Sequence, residues 1–218
     1  MSVFKGVLPR GLARALGLVG NELQIWRRHR AGRRIASRLL TLTNLKLNIG
    51  CGPNYKPGWV NIDLNGCADL TLDMRERFPL MDKSASIIYS EHLFEHLDYP
   101  GDALHFLAEC RRVLRSGGRL HIGVPDTEEA LLAYANPGGN RWLEHSRHHH
   151  PEWATTTLDR INYHFRQGGE HRYAYDFETL RNTLMLAGFV KVTKRDFEPS
   201  LDSEFRKIGT LYVEAENP

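Results

Sequence analysis

Two short apolar runs joined by a glycine turn constrain the fold more strongly than any other part of the sequence. The first covers residues 45–49 and stops at Gly50-Cys51-Gly52, and the second covers residues 60–62 and ends at Asp63. Glycine lets the backbone approach a ligand closely, and a carboxylate after the next strand can accept hydrogen bonds from ribose hydroxyls. The pattern predicts two strands with a site for a nucleotide-like ligand at their carboxyl ends.

A structural hairpin or an NAD-type site would begin with the same turn. Against the NAD-type site, the G-x-G-x-x-G spacing is incomplete, because Tyr55 occupies the position of the third glycine. The connection to the second strand also contains Pro53 and Pro57 and is very short. We therefore expect a shortened or missing first helix and a ligand other than a dinucleotide.

The other apolar runs predict an α/β fold with a mostly parallel sheet. Asp102 and Asp176 each precede a helical pattern, which ends at Gly117-Gly118 in the first case and at Gly188 in the second. Helices between strands indicate crossover connections, which join parallel neighbours. The remaining predicted strands cover residues 68–73, 86–90, 119–124, 189–192 and 211–215.

Residues 126–172 lack a regular hydrophobic pattern. The segment contains Asn136-Pro137-Gly138-Gly139, Trp142, Trp153 and a histidine-rich run over residues 145–150. A stretch of this length inside a compact domain is commonly functional, or it contains short helices that the pattern does not locate. We expect it to form a lid or an acceptor-binding insert.

Residues 1–44 differ in charge from the rest of the chain. They carry nine lysines and arginines and one acid, Glu22, while the remainder carries a net charge of −5. Leucines and Trp26 at helical spacing beside these arginines predict one or two amphipathic helices. Such a basic arm suits an anionic membrane surface or a phosphate-bearing partner, so residues 1–44 could bind a membrane or a protein. Packing on the domain, packing on a second subunit and a mitochondrial presequence are the alternatives.

The cysteines and the hydropathy pattern indicate a location. Cys51, Cys67 and Cys110 form no C-x-x-C pair and no disulfide framework, which favours a reducing cytoplasmic compartment. No apolar run approaches the ~20 residues of a membrane span. Arg10 and Arg14 interrupt the N-terminal apolar run, so we expect no cleaved secretory signal. We expect a cytoplasmic protein, peripheral at the inner membrane surface if the arm binds lipid.

Six short segments occur in an order and spacing that together carry a resemblance. They are Leu47-Asn48-Ile49-Gly50-Cys51-Gly52-Pro53, Asn61-Ile62-Asp63, Leu72-Asp73-Met74, Tyr89-Ser90-Glu91-His92-Leu93-Phe94-Glu95-His96-Leu97, Arg112-Val113-Leu114-Arg115-Ser116-Gly117-Gly118 and Ala187-Gly188-Phe189. Over about residues 45–215 the chain resembles the S-adenosylmethionine-dependent methyltransferases of the Rossmann-like class. It is close to the methyltransferase-11 type and similar to members that act on cell-envelope polysaccharides. The resemblance implies a seven-stranded, mostly parallel sheet with helices on both faces and an antiparallel last strand.

Carried over residue by residue, the resemblance also implies a binding site for S-adenosylmethionine. The glycine turn would face the methionine part of the cofactor, Asp63 would bind the ribose hydroxyls, and Asp73 with Met74 would border the adenine. Asn48 stands where the family has an acidic residue, so it brings no charge to the sulfonium end. The implied cofactor-binding residues are Asn48, Gly50, Cys51, Gly52, Asp63, Leu64, Asp73, Met74, Ser90 and Glu91.

Two histidine patterns raise the question of a metal ion. His92, Glu95 and His96 have the H-x-x-E-H spacing of inverted zinc peptidases, where both histidines bind the ion from one long helix with a third ligand. Here the motif directly follows a strand, so we interpret Glu95 and His96 as packing or supporting residues. The run over residues 145–150 cannot direct three imidazoles to one side and is interpreted as a solvated or substrate-facing loop. We assign no metal ion.

His171, His92 and Asp126 are the candidate catalytic residues, in that order. Methyl transfer from a sulfonium is an in-line displacement that depends mainly on alignment, and a hydroxyl acceptor benefits from a general base with a pKa near neutrality. His171 lies in a His-x-x-x-Tyr-Asp stretch similar to one in envelope-polysaccharide methyltransferases. Asp126 follows the fifth predicted strand.

We therefore expect O-methylation of a cell-envelope sugar or polysaccharide intermediate. A natural-product or lipid acceptor is the first alternative, and a non-catalytic, cofactor-binding assembly subunit is the alternative outside enzymes. A nucleic-acid partner is not favoured, because residues 45–218 are acidic overall. The oligomeric state stays open, with a homodimer as one alternative. The expected organisation is an arm over residues 1–44 and a methyltransferase domain over residues 45–218, with the insert at about 126–172.

Overall fold

A twisted sheet of seven strands forms the centre of the protein in the computed structural model, which describes residues 9–64 and 67–218. Its strands are β1 Leu45–Ile49, β2 Val60–Asp63, β3 Leu70–Thr71, β4 Ala85–Glu91, β5 Leu114–Pro125, β6 Val190–Arg195 and β7 Thr210–Glu216. The α-helices are α1 Arg10–Ala36, α2 Gly101–Val113, α3 Thr127–Ala135, α4 Arg141–His149, α5 Thr157–Arg166 and α6 Phe177–Leu186. One of the short 3₁₀ turns, Phe94–His96, follows β4.

The strand order is β3-β2-β1-β4-β5-β7-β6. The first five strands pair in parallel, whereas β7 pairs antiparallel with both β5 and β6. The predicted Rossmann-like sheet with an antiparallel last strand is therefore confirmed. Because β1, β2, β4 and β5 run in one direction, their carboxyl ends meet at one edge, which carries Gly50, Asp63, His92 and Asp126.

Side chains replace a helix between β1 and β2. Residues 50–59, all of them described, contain turns but no helix, as the short spacing predicted. The Asn48 amide donates to the Asn54 carbonyl at 2.9 Å and to Asn61 Oδ1 at 2.8 Å. Asn61 Oδ1 also accepts from the Lys56 backbone at 2.8 Å, and the Asn61 backbone donates to Asp69 at 2.8 Å. The two asparagines thus satisfy backbone groups that a helix would otherwise pair.

The boundaries of α2 correct two predictions. The helix begins at Gly101 after Pro100, so Asp102 lies in the first turn and is not the N-cap. It ends at Val113, before Gly117-Gly118, because Leu114 adopts an extended conformation and pairs with Ala85 at the start of a twelve-residue β5. The predicted third strand is also shorter than expected, at Leu70–Thr71.

The insert over residues 126–172 contains three short helices, α3 to α5. Each begins at a side chain that accepts a backbone N–H: Asp126 for α3, Asn140 for α4 and Thr156 for α5. Their apolar faces form a second hydrophobic cluster, separate from the main core. Its buried members are Ala130, Ala133, Trp142, Leu143 and Ile161.

The arm forms one long helix, α1, which packs on the β3 edge of the sheet through its C-terminal half. His29, Gly32 and Ala36 are buried. A Cβ at Gly32 would lie 2.1 Å from the Thr71 carbonyl oxygen, so glycine allows the helix to approach the strand. The part of α1 before His29 leaves most of its apolar side chains exposed, among them Leu12, Leu16, Leu18, Val19, Leu23 and Trp26. No helix among the described residues is long and apolar enough to cross a membrane.

Predictions for residues 1–8 of the arm lie outside the described residues. The predicted cap at Asp176 is confirmed, since its carboxylate accepts the Thr179 N–H at 2.8 Å at the start of α6. The last two strands lie close to their predicted positions, as β6 and β7.

Candidate active site

A cleft of about 210 Å³ opens at the carboxyl ends of β1 and β2. We call it the donor cleft. It brings together five of the ten implied cofactor-binding residues: Gly50, Asp63, Leu64, Asp73 and Met74. Its remaining walls come from Ile25 of α1 and from Leu72, Arg75, Leu93, His96 and Leu97.

The glycine turn is locked in place by backbone bonds and by Asp63. The N–H groups of Gly50 and Cys51 donate to the Ile62 carbonyl at 2.8 and 3.2 Å, and Gly52 N–H donates to Asp63 Oδ2 at 2.8 Å. Gly50 has a φ of +72°, and a Cβ there would lie 2.8 Å from the Leu93 Cβ. Both observations require glycine at residue 50. Asp63 is thereby held at the tip of β2, beside the cleft.

Cys51 is buried and does not line the cleft. Burial raises the pKa of its thiol to about 11, and the nearby Asp63 carboxylate adds to the rise. The side chain is therefore a neutral thiol at physiological pH and acts as a packing group.

Asn48, Ser90 and Glu91 also lie away from the donor cleft walls. The Asn48 amide is committed to the β1–β2 connection. Ser90 is fully buried, and its hydroxyl has no hydrogen-bond partner among residues 9–64 and 67–218. The Glu91 carboxylate is engaged by Ser203 of the β6–β7 connection and by Tyr212 of β7.

Sequence analysis missed three residues that fix Asp73. The Arg75 guanidinium donates to both Asp73 carboxylate oxygens and to both Glu22 carboxylate oxygens on α1. His29 Nδ1 accepts the Asp73 N–H at 3.2 Å. Burial opposes ionisation of Asp73, but the hydrogen bonds from Arg75 outweigh it and hold the pKa of this carboxyl below its usual value. No pattern in the sequence connects α1 to Asp73; only the close spacing of Asp73 and Arg75 hinted at a pair.

Four side chains converge beyond β4, and we call them the Glu95 cluster: His92, Glu95, His96 and His171. Glu95 Oε1 lies 3.6 Å from His92 Nδ1, 3.9 Å from His96 Nε2 and 3.9 Å from His171 Nε2. The Arg172 N–H donates to the Glu95 carbonyl at 2.8 Å, which ties the 3₁₀ turn to the end of the insert. Two predicted catalytic histidines, far apart in sequence, thus meet at one carboxyl group.

Glu95 is buried, with 2% of its surface exposed, and neither carboxylate oxygen has a hydrogen-bond partner within the described part of the chain. Burial raises the pKa of Glu95 to about 8. Burial also lowers the pKa of His92, His96 and His171. The cluster therefore presents neutral imidazoles at neutral pH.

A second cavity of about 200 Å³ lies on the other side of the cluster, under the insert. We call it the histidine cavity. His92 and His171 line it, together with Arg206 and Thr210 of the β6–β7 region. Its other lining residues are Trp142, His145, His149, His150, Tyr163, His164, Gln167, Phe205, Pro125, Ile208 and Gly209. Asp126 does not line it. The Asp126 carboxylate instead caps α3 by accepting the Glu129 N–H at 3.1 Å.

The histidine-rich run does not form a solvated loop, because residues 141–149 are helical. His145 and His149 lie one turn apart on α4 with their rings stacked at 3.9 Å. His150 instead packs edge-on against Trp142 at 5.6 Å. The run therefore contributes to the wall of the histidine cavity.

Residues 47–122 match the family model described as a methyltransferase domain. This part of the chain is therefore similar to a methyltransferase domain. The matched segment covers β1 to β5, which include the glycine turn, Asp63, Asp73 and the Glu95 turn.

Similar proteins share little sequence with this chain. An uncharacterized 37.1 kDa protein in a transposon of Streptomyces fradiae is 28% identical over 113 residues, which are 40% of this chain and 32% of that protein. The chain thus spans about a third of the length of this curated relative.

Solved structures with a similar chain course come from bacteria and archaea. A possible exported protein from Bordetella parapertussis has a TM-score of 0.49 at 17% identity, with 88% of this chain and 67% of that chain covered. The structure of the Haloferax volcanii Trm112 methyltransferase activator with its partner gives 0.48 at 16% identity, over 94% and 96% of the two chains. A SAM-dependent methyltransferase from Thermotoga maritima gives 0.47 at 16% identity, over 94% and 97%.

Proposed function

We propose that this protein transfers a methyl group from S-adenosylmethionine in the donor cleft to a hydroxyl acceptor in the histidine cavity. The observation that carries the proposal is the position of the Glu95 cluster between the two cavities. His96 lines the donor cleft, whereas His92 and His171 line the histidine cavity. A donor on one side and an acceptor on the other would meet beside these imidazoles, as in-line transfer requires.

On the donor side, the chain offers groups that fit the parts of the cofactor. Asp63, held by the Gly52 N–H, would accept hydrogen bonds from the ribose hydroxyls. Asp73 and Met74 would border the adenine, and Ile25 of α1 would cover it from above. When bound, S-adenosylmethionine supplies an electrophilic methyl group on its sulfonium.

On the acceptor side, a hydroxyl must lose its proton as the new C–O bond forms. Burial lowers the pKa of His92 and His171, so both imidazoles are unprotonated at neutral pH and available as proton acceptors, but each is a weaker base than a free histidine. The Asp126 carboxylate is committed to the N-cap of α3 and is not assigned a catalytic role. We therefore retain His171 and His92 as the candidate bases.

The acceptor class that this cavity suits best is a sugar hydroxyl of a cell-envelope glycan or polysaccharide intermediate. Trp142 and Tyr163 give the cavity apolar walls, while the imidazoles and Arg206 give it polar groups, a combination that suits an amphipathic ring. Arginines exposed on α1 would favour acceptors that carry phosphate at a membrane surface, and they include Arg27, Arg28, Arg30 and Arg34. The family resemblance supports the same acceptor class.

Calorimetry tests the donor half of the proposal. We expect the protein to bind S-adenosylmethionine, and Asp63→Ala to weaken binding at least about tenfold, equivalent to one lost charge-assisted hydrogen bond. Asp98→Ala, which removes an exposed carboxylate outside the cleft, is the matched control and should bind like the native chain. Absence of binding at micromolar protein would overturn the proposal.

Transfer of a tritiated methyl group into cell-envelope extracts tests the acceptor half. We expect label in the glycan fraction; label confined to the lipid fraction would contradict the acceptor class but not the methyl transfer. Whichever of His92→Ala and His171→Ala removes the base should lower kcat about 100-fold without changing cofactor affinity, because a general base contributes roughly that much. Full turnover in both variants would show that neither imidazole is the base.

The exposed apolar half of α1 supports a further proposal, that the arm binds an anionic membrane surface. Leu12, Leu16 and Leu23 are each about half exposed, and arginines flank them on the same helix. Vesicles with anionic lipid should retain the native chain, while neutral vesicles should not. Replacement of Leu12 and Leu16 by Ser should release the protein without unfolding it. Equal retention by both kinds of vesicle, or by the variant, would contradict membrane binding.

A further inference from the structure

Two buried groups in the Glu95 cluster lack the partners that buried polar groups normally have. Both Glu95 carboxylate oxygens and His171 Nε2 are inaccessible to water and make no hydrogen bond within residues 9–64 and 67–218. Most buried polar atoms in folded proteins are paired, because desolvation without a partner is costly. Glu95 Oε1 and His171 Nε2 are unpaired and lie 3.9 Å apart, which indicates a missing ligand between them.

The spacing of these atoms matches ligands around a shared ion better than it matches direct bonds. Single ligand atoms of Glu95, His96 and His171 all lie within 4.8 Å of one another, and Glu95 Oε1 is 3.9 Å from each imidazole nitrogen. Hydrogen bonds of this type end near 3.2 Å. Ligands about 2.0–2.1 Å from a tetrahedral ion lie roughly 3.4 Å apart. The two distances from Glu95 would therefore shorten by about half an ångström, and the separation of the two imidazole nitrogens, which is within 4.8 Å, by at most about 1.4 Å.

The His171 imidazole is already oriented for coordination. Its Nδ1 lies 2.6 Å from the His164 carbonyl oxygen, which can only accept a hydrogen bond. Nδ1 therefore carries the proton, and the lone pair of Nε2 faces Glu95. A backbone carbonyl that holds the second ring nitrogen is the usual support of a metal-binding histidine.

The backbone around the cluster is fixed as well. The N–H groups of Arg172 and Tyr173 both donate to the Glu95 carbonyl, at 2.8 and 3.2 Å. The 3₁₀ turn and the end of the insert are thereby held together independently of any ion. Such prior ordering lowers the cost of assembling a three-ligand site.

We propose that Glu95, His96 and His171 bind a divalent transition-metal ion, for which Zn²⁺ fits the ligand set. Two imidazole nitrogens and one carboxylate are a common zinc ligand set with one open coordination position, whereas Mg²⁺ and Ca²⁺ prefer oxygen ligands. The H-x-x-E-H segment thus supplies two of the three ligands, and the third comes from the far end of the insert. A long helix is not needed, because a 3₁₀ turn brings Glu95 and His96 together.

An ion at this position would lie between the donor cleft and the histidine cavity, since His96 lines the first and His171 the second. It would occupy His171 and leave His92, whose Nε2 is 2.8 Å from Thr210 Oγ1, as the unligated imidazole of the cavity. Ion binding does not depend on the proposed methyl transfer. The two proposals can therefore fail separately.

The stacked pair His145 and His149 on α4 is the competing site, because histidines one helical turn apart can bind Zn²⁺ at a surface. Both residues are at the outer wall of the histidine cavity. Their removal together with His148 gives the control that separates surface binding from binding at Glu95.

The test uses the full chain after a chelator has removed any bound metal. This protein is titrated with Zn²⁺ alone. Calorimetry should detect one tight equivalent, and thermal unfolding should shift upward by about 5–10 °C when the ion is present at 100-fold its dissociation constant. Glu95→Gln and His171→Ala should lose the equivalent and the shift. The triple variant with Ala at residues 145, 148 and 149 should keep both, as should His121→Ala, which removes a buried histidine from β5.

Two outcomes would overturn the proposal: no tight equivalent in the native chain, or an equivalent that disappears in the triple variant and persists in His171→Ala. Bound Co²⁺ provides a second readout on the native protein, in case Glu95→Gln does not fold. Its visible d–d absorption should appear with one equivalent and vanish on addition of Zn²⁺. Persistence of the same spectrum in His171→Ala would exclude His171 as a ligand.

Discussion

Glu91 and Glu95 lie four residues apart on either side of the end of β4, and both are nearly inaccessible to water, with 4% and 2% of their surfaces exposed. Their surroundings differ completely. The Glu91 carboxylate accepts hydrogen bonds from the Ser203 N–H and hydroxyl and from the Tyr212 hydroxyl, and Arg206 lies 3.5 Å away. The Glu95 carboxylate accepts none from the described residues.

The difference separates a structural carboxylate from one reserved for a ligand. Glu91 holds the β6–β7 connection against β4 by accepting hydrogen bonds from Ser203 and Tyr212. The Glu95 carboxylate makes no hydrogen bond to the described residues, although three imidazoles face it. A buried acid without donors persists in a folded protein only where something else compensates for the desolvation.

The largest expected effect comes from removal of the satisfied carboxylate. Glu91→Ala leaves the Ser203 and Tyr212 donors unpaired and Arg206 without its acid, so we expect a loss of about 3 kcal/mol in the free energy of unfolding. Urea denaturation measures it, and Glu204→Ala, an exposed acid in the same connection, should change stability by less than about 0.5 kcal/mol. Equal losses of unfolding free energy in Glu91→Ala and Glu204→Ala would show that the buried carboxylate stabilises the protein no more than an exposed one.

The pH dependence of stability should report Glu95. Burial raises its pKa from 4.5 to about 8, so the folded chain retains a proton that the unfolded chain has released. The unfolding free energy should therefore fall as pH rises from 6.5 to 8, by about 2 kcal/mol at ~1.4 kcal/mol per pKa unit. The lowered pKa values of His92, His96 and His171 produce the opposite trend, but only below their ordinary value of 6.5.

Chemical denaturation at several pH values, with chelator present, would measure this slope. Glu95→Gln should flatten it and should raise stability at pH 8, because the amide carries no charge to desolvate. A slope between pH 6.5 and 8 that survives in Glu95→Gln would assign it to another group.

Removal of one hydrogen-bond donor to Glu91 should lower the free energy of unfolding by less than removal of the Glu91 carboxylate. Ser203→Ala removes the 2.5 Å hydroxyl bond and keeps the backbone bond, so we expect a loss of about 1.5 kcal/mol, as for a hydrogen bond to a charged group. Ser200→Ala removes an exposed hydroxyl from the same connection and is the control. A thermal-unfolding comparison that ranks the two variants equally would contradict this estimate.

The smallest effect is expected at the surface, where Glu22 meets Arg75 at 2.8 Å with both side chains partly exposed. Glu22→Gln should cost about 0.5 kcal/mol, and about 0.5 M salt should reduce even that, because solvent and ions screen exposed pairs. Denaturation at two salt concentrations gives the measurement. A loss as large as that of Glu91→Ala would mean that α1 is fixed mainly by this pair.

Local patterns predicted most of the sheet, because apolar runs and glycine turns act over a few residues. Gly50, Asp63 and Asp73 accordingly line one cleft at the carboxyl ends of the strands, and their roles toward a cofactor stay predictions. The α2 boundaries were wrong, since the pairing of Leu114 with Ala85 outweighed the helix-ending glycines. Helices of nine or ten residues in the insert were too short to show a clear period.

The contacts between residues far apart in the chain could not be predicted from the sequence. The approach of His171 to Glu95 depends on how the insert folds back over β4, and no periodicity encodes it. The same holds for Glu22 and His29 of α1 at Asp73. The H-x-x-E-H spacing was visible from the start, but its third ligand became apparent only in three dimensions.

The helix-free connection between β1 and β2 should be detectable in the sequences of related chains. Asn48, Asn61 and Asp69 form one hydrogen-bonded unit, which pairs backbone groups that a helix would otherwise pair. Among related chains, these three positions should therefore vary together, and they should be retained only where the connection is equally short. Chains with a full helix at this point would be free to carry an acid at residue 48, so this triplet would mark a separate branch of descent.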